Sequence, residues 1–159
     1  MALEIERKFL VIQENLPELH GGQYIIQGYL SELPSIRYRF LEDSITITVK
    51  ELRSDGSRQE IETSNPSSTQ EERDALKRIS LAPPIEKIRY RLPYGSLIWE
   101  VDVYQMENQG LITVDVEIPE VGYPLTFPNW VNWEREITND SKYFNVNLAR
   151  KPYTTWAIS

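Results

Sequence analysis

Polar and apolar residues alternate along most of this chain, with the period of a half-buried β-strand. Leu3 to Val11 opens the series. Glu4, Glu6 and Lys8 share one face of that strand, and Leu3, Ile5 and Phe9 share the other. The same alternation predicts strands over 24–30, 35–41, 44–52 and 58–63, then over 85–92, 97–104 and 110–118. Leu41-Glu42-Asp43-Ser44, Ser54-Asp55-Gly56-Ser57 and Pro93-Tyr94-Gly95 read as turns between neighbours, Asp-Gly supplying a positive-φ residue. Between the two groups of strands, Ser68 or Thr69 can cap a helix running to Ser80. Glu71 and Glu72 suit its first turn, Ala75, Leu76 and Ile79 its buried side, and Pro83-Pro84 follows its end. Asp140 can cap a last helix through Ala149, placed to close one end of the fold with Tyr143, Phe144 and Leu148. The segment 119–133, rich in proline and aromatic residues, reads as loop. Eight strands joined mostly by short turns, with helices at two places, predict an α+β fold. Its centre is an eight-stranded antiparallel β-barrel, an arrangement without exposed sheet edges.

One parity of these strands collects the charge. It holds Glu4, Glu6 and Lys8; Gln27 and Tyr29; Arg37 and Arg39; Lys50; Arg58, Glu60 and Glu62. After the helix it holds Lys87, Arg89 and Arg91; Glu100 and Asp102; Asp115 and Glu117. The opposite parity is largely apolar, as in Ile36, Tyr38 and Phe40 or Trp99, Val101 and Val103. An ordinary barrel would turn the apolar side inward. An inverted one would line a wet tunnel with the charges and cover its apolar outside with helices and loops. Two features favour inversion. Charge clusters by sign along individual strands, whereas a merely solvated surface mixes signs. The helices and the Trp- and Pro-rich tail also bring apolar faces of their own that need a surface to pack on. Carboxylates on one side of a tunnel bind hard cations such as Mg²⁺ or Mn²⁺. Arginine forks and lysines on the other hold phosphate oxygens. Together they suit a metal-bound polyphosphate.

Bulk properties narrow the choice further. The 159 residues suit a single domain, 1–159, with a real core. With no cysteine there is no thiolate chemistry, and the single histidine, His20, in Leu-His-Gly-Gly, reads as a loop residue. A formal net charge of −7 argues against a general nucleic-acid binder, while leaving room for a local basic channel. The sequence offers no apolar leader and no transmembrane stretch, so a cytoplasmic protein without a membrane partner is expected, and a homodimer is compatible with it.

These residues resemble those of the CYTH superfamily, the triphosphate tunnel metalloenzymes. The opening Glu4-Ile5-Glu6-Arg7-Lys8 carries that family's Glu-x-Glu-x-Lys signature. Gln27-Gly28-Tyr29-Leu30, Arg37-x-Arg39, Thr48-Val49-Lys50, Glu60-x-Glu62, Lys87-Ile88-Arg89-Tyr90 and Trp99-Glu100-Val101-Asp102 extend the likeness over nearly the whole chain. They point to the small bacterial branch of inorganic tripolyphosphatases. Val114-Asp115-Val116-Glu117 departs from the usual Glu-x-Glu there, shortening one ligand arm by a methylene while keeping its charge.

The resemblance implies a tunnel that binds a triphosphate with one or two divalent ions. Lys8, Arg37, Arg39, Lys50, Lys87 and Arg89 would hold the phosphates. Glu4, Glu6, Asp115 and Glu117 would hold Mg²⁺ or Mn²⁺, with Glu60, Glu62, Glu100 and Asp102 as further acids. Lys87 with Tyr29 would activate the attacking water, which requires a lysine pKa lowered by neighbouring cations. An adenylate cyclase, a nucleoside or thiamine triphosphatase, or a polyphosphate-binding module without turnover stays open on the same residues.

Overall fold

A computed structural model of the chain describes residues 5–52, 54 and 58–156. The expected Asp55-Gly56 turn and Glu4 lie outside the described residues. Among the described residues, nine strands form one antiparallel sheet: β1 Ile5–Val11, β2 Gln23–Ser31, β3 Ser35–Leu41, β4 Ser44–Leu52, β5 Arg58–Asn65, β6 Ile85–Tyr94, β7 Leu97–Tyr104, β8 Ile112–Ile118 and β9 Val131–Glu136. Their spatial order is β5-β4-β3-β2-β6-β7-β8-β1-β9. Helix α1, Gln70–Ile79, links the two groups of strands, and α2, Asn145–Arg150, lies near the end of the chain. No helix among the described residues is long and apolar enough to cross a membrane.

The strand count and the closure differ from expectation. Val131–Glu136, read as the end of a loop and its sequel, is a ninth strand. It pairs with β1 over Phe9 to Val11, with a register shift between Phe9 and Leu10, while β8 occupies the other side of β1. The side of β1 that closure against β5 would use is therefore partly taken, and among the described residues the sheet ends at β5 and β9 without a ladder joining them.

Both helices follow local rules. Thr69 caps α1 in a capping box: its hydroxyl accepts from the Glu72 backbone N–H at 3.1 Å, and the Glu72 carboxylate accepts from the Thr69 backbone N–H at 2.8 Å. Leu76 packs on Tyr38, Phe40 and Ile45, but Ile79, expected on the buried side, is exposed. The last helix is shorter than its sequence pattern. Ser141–Tyr143 makes a 3-10 turn, Phe144 is extended, and only then does α2 start.

Burial decides between the two barrel arrangements. Phe9, Trp99, Val101, Val114 and Val116 pack on the apolar side of the sheet with Trp130 and Val131, while Phe127 contacts Phe9 and Trp99 edge-on or tilted. The middle of the charged parity is buried as well: Gln27, Thr48, Lys87, Asp102, Thr113 and Asp115 are all shielded from solvent, while Glu60, Glu62, Arg91 and Glu117 are exposed. Since charged groups are rarely buried without partners, this second face is a shielded polar surface, called the lumen below. Charges line it and the apolar parity packs under the chain's loops, as the inverted arrangement expects, but on a sheet that, among the described residues, does not close on itself.

Candidate active site

Directly opposed residues on neighbouring strands share a face, so the register assembles the site. Glu6 lies opposite Glu117 and Lys8 opposite Asp115. Asp115 in turn lies opposite Glu100, and Asp102 opposite Thr113. Across β6 and β7, Arg89 meets Asp102 and Lys87 meets Tyr104. On β2 and β3, Gln27 meets Arg39 and Tyr29 meets Arg37. Thr48 and Lys50 complete the surface against Glu62 and Glu60. Every site residue expected from the sequence, apart from Glu4, thus shares one surface.

Its electrical centre is Asp102. Lys87 Nζ donates to Asp102 Oδ2 at 2.9 Å, and Arg89 forks onto the same carboxylate at 2.8 and 2.9 Å. Lys87 and Asp102 are fully buried. The two bases hold the Asp102 carboxyl far below the usual range against the opposing effect of burial. Burial drives the Lys87 amine down to about 8; Asp102 opposes that, and Arg89, Arg39 and Lys8 add to it. Arg89 also reaches Glu100 at 3.6 Å and Asp115 at 3.5 Å, tying the basic and acidic sides together.

The basic side is crowded with cations. Arg39 is pulled down to about 10 by burial and then by Arg37 and Arg89. Arg37 Nε is buried with no hydrogen-bond partner among the described residues. Cations that repel one another around an unused donor form a surface an anion would relieve. Lys50 sits at the outer part of this side, 4.0 Å from Glu60, while Thr48 donates to Glu62 at 3.4 Å. Tyr29 and Lys87 share the lumen, each with its own partner. The Tyr29 hydroxyl accepts from Gln27 Nε2 at 2.8 Å. The residue opposite Lys87 is Ile25, so Tyr29 stands further along β2.

On the acidic side, Glu6 and Asp115 are diagonal neighbours across β1 and β8. Burial, then the Asp115 carboxylate, lifts the Glu6 carboxyl to about 7. Asp115 is buried, and its Oδ1 has no hydrogen-bond partner among the described residues, with Lys8 Nζ at 3.6 Å. Burial lowers the Lys8 amine, but Asp115 leads a group of neighbours that hold it above its ordinary value. Two mutually repelling carboxyls and an orphaned carboxylate oxygen are the donor set a hard divalent cation satisfies. Glu117 lies at the solvent-exposed end of the same face. No three acids already converge among the described residues. Of the further acids, Glu60 and Glu62 serve Lys50 and Thr48, and Glu100 and Asp102 serve Arg89 and Lys87.

The two ends of the face differ. Ile85 and Tyr104 continue the charged parity of β6 and β7 but pack with Leu111, Ile137, Tyr143 and Leu148 into an apolar floor. Tyr104 Oη donates to Asn145 Oδ1 of α2 at 2.7 Å, so the last helix seats against this floor beside Lys87. At the other end a cavity of about 470 Å³ opens among Arg91, Ile98, Glu100, Glu117 and Tyr123. Tyr104 and Thr113 line the site without having been named on the charged face, although their strand parity places them there; Gln27 was on that face without a role.

No family model matches the chain. An inorganic triphosphatase of Acetivibrio thermocellus is 35% identical over 155 residues, covering 96% of this chain and 97% of its own. The crystal structure of the inorganic triphosphatase NE1496 is similar with a TM-score of 0.66 at 28% identity, covering 94% of this chain and 95% of its own. A protein of Pyrococcus horikoshii OT3, 18% identical, shares the fold at a TM-score of 0.50 over 75% of this chain and 80% of its own.

Proposed function

The chain belongs to the CYTH superfamily of triphosphate tunnel metalloenzymes, and from that premise we propose that it hydrolyses inorganic tripolyphosphate with a divalent metal ion, Mg²⁺ or Mn²⁺. The observation that carries the reading is the shielded face on which Arg37, Arg39 and Arg89 crowd together opposite the acidic pair Glu6 and Asp115. The names of the Acetivibrio relative and of NE1496 support the substrate class.

Phosphoryl transfer asks the protein mainly for position and charge. Arg37, Arg39 and Arg89, with Lys8 and Lys50, would bind the phosphate chain. Glu6 and Asp115, with Glu117 and Glu4, would hold the cation, which when bound supplies neutralisation of phosphate charge. Lys87 would act as base. A neutral amine keeps N–H groups to donate to Asp102 and leaves its lone pair free to accept a proton from water. The water oxygen then bonds to a terminal phosphorus, the bridging P–O bond breaks, and pyrophosphate and phosphate leave. Tyr29 would present its hydroxyl to the same water or to a phosphate oxygen.

The test is phosphate release from tripolyphosphate, ATP and thiamine triphosphate, side by side, with Mg²⁺ and with EDTA. Fast release from tripolyphosphate that EDTA abolishes is expected. Faster turnover of ATP or thiamine triphosphate overturns the substrate, and release unaffected by EDTA overturns the metal.

A further inference from the structure

Resting on that reading of Tyr29, we propose that Gln27 is a positioning residue that sets the direction in which the Tyr29 hydroxyl points its proton. Gln27 is fully buried between two functional side chains. Arg39 Nε donates to Gln27 Oε1 at 2.7 Å, and Gln27 Nε2 donates to Tyr29 Oη at 2.8 Å. A guanidinium has only donors, so the amide oxygen has to face it. That turns the amide nitrogen toward Tyr29 and makes the phenolic oxygen the acceptor. The Tyr29 proton is then not used on Gln27 and is left for a group standing in the lumen.

The chain of bonds also has a chemical direction. The Arg39 charge polarises the amide, and the amide N–H withdraws density from the phenolic oxygen, so each donor sharpens the next. Tyr29 is held from the other side through its backbone. Leu81 N donates to Tyr29 O at 2.9 Å. Next to Tyr29, Gly28 lets the Tyr38 ring lie so close that a Cβ there would collide with Tyr38 Oη. With the main chain fixed, Gln27 is what selects the hydroxyl's rotamer.

Two substitutions separate this role from packing. Gln27→Met keeps the length and removes the amide. Gln27→Glu keeps the shape but can only accept, so Tyr29 must turn its proton onto it. Both are compared with Tyr29→Phe and with the Gln27→Met/Tyr29→Phe double variant in phosphate release from tripolyphosphate, after thermal melting establishes folding. Gln27→Met is expected to lower kcat about tenfold with KM changed less than about threefold. Gln27→Glu should lose at least as much, and the double variant should be no slower than Tyr29→Phe alone. Unchanged kcat in either single variant, or losses that multiply in the double, overturn the proposal while leaving Tyr29 in its role. Full activity of Tyr29→Phe overturns the reading of Tyr29 itself and the proposal with it. Should Gln27→Met fail to fold, Gln27→Glu, which keeps both partners, decides alone.

Discussion

Replacing Asp102 by asparagine keeps the side chain's shape and removes one negative charge from the middle of the lumen. Exposed ion pairs are worth at most about 1 kcal/mol. Breaking a buried one by removing a single partner costs about 3–5 kcal/mol, because the other charge stays uncompensated. Here two bases are left behind: Lys87, fully buried, and Arg89, whose side chain is only 14% exposed. For a chain of this size each kcal/mol moves Tm by about 2–4 °C, so Asp102→Asn should lower it by about 6–20 °C. The same loss acts on the amine. Asp102 is the group that raises the Lys87 pKa against burial, so without it the value falls below about 8. Any rate that depends on the neutral amine should then persist to lower pH. Tripolyphosphate returns negative charge to the lumen and should therefore raise Tm more in the variant than in the parent. Thermal melting at pH 7 with and without tripolyphosphate, together with kcat against pH, reads all three effects. A Tm within about 2 °C of the parent, with the same gain from ligand, would refute the reasoning.

Lys87→Ala should lower kcat by about 10²–10⁴-fold with little change in KM, and parent kcat should rise through about pH 8 as the amine deprotonates; a flat profile from pH 6 to 9 counts against a lysine base. Glu6 carries its proton up to about pH 7 in the folded chain but only to about 4.5 when unfolded, so metal-free stability should fall as pH rises through that window. At pH 8, Mg²⁺ should restore stability in the parent and not in Glu6→Gln, and equal Tm gains in both would remove Glu6 from the metal site. Gly28→Ala should cost about 1–3 kcal/mol, since the added carbon meets the buried Tyr38 ring that is tied to Ser80; an unchanged urea midpoint would contradict that close approach.

The parity of the strands made the surface legible. Glu6, Lys8, Arg37, Arg39, Lys87, Arg89, Asp102 and Asp115 each sit where alternation puts them, and only pairing was needed to join them. Pairing is also what alternation leaves open, because any register that keeps parity preserves the face. The partners of the individual acids followed from register alone: Glu60 went to Lys50, and Asp102 went to Lys87 and Arg89. The ninth strand was hidden for a related reason. Val131–Glu136 carries its alternation over few residues, and its pairing with β1 is broken by a register shift. The floor was concealed by composition, since Ile85 and Tyr104 occupy charged-parity positions with apolar bodies.

The aromatic packing behind the sheet makes the lumen optically addressable from its back. Trp99 and Trp130 are buried edge-to-face at 6.4 Å, and Trp99 is next in sequence to Glu100 and lies opposite Val116, next to Asp115. Their emission belongs to the blue side of the spectrum, whereas Trp133, 61% exposed, emits red and is open to acrylamide. Trp156 packs edge-to-face against Tyr143 and Tyr153 behind the apolar floor. The unlabelled protein therefore carries one reporter behind the acidic strands, one behind the floor and one in solvent. With Trp133 changed to Phe, a shift in the blue emission on adding a cation or an anion would report on β7 and β8 in real time.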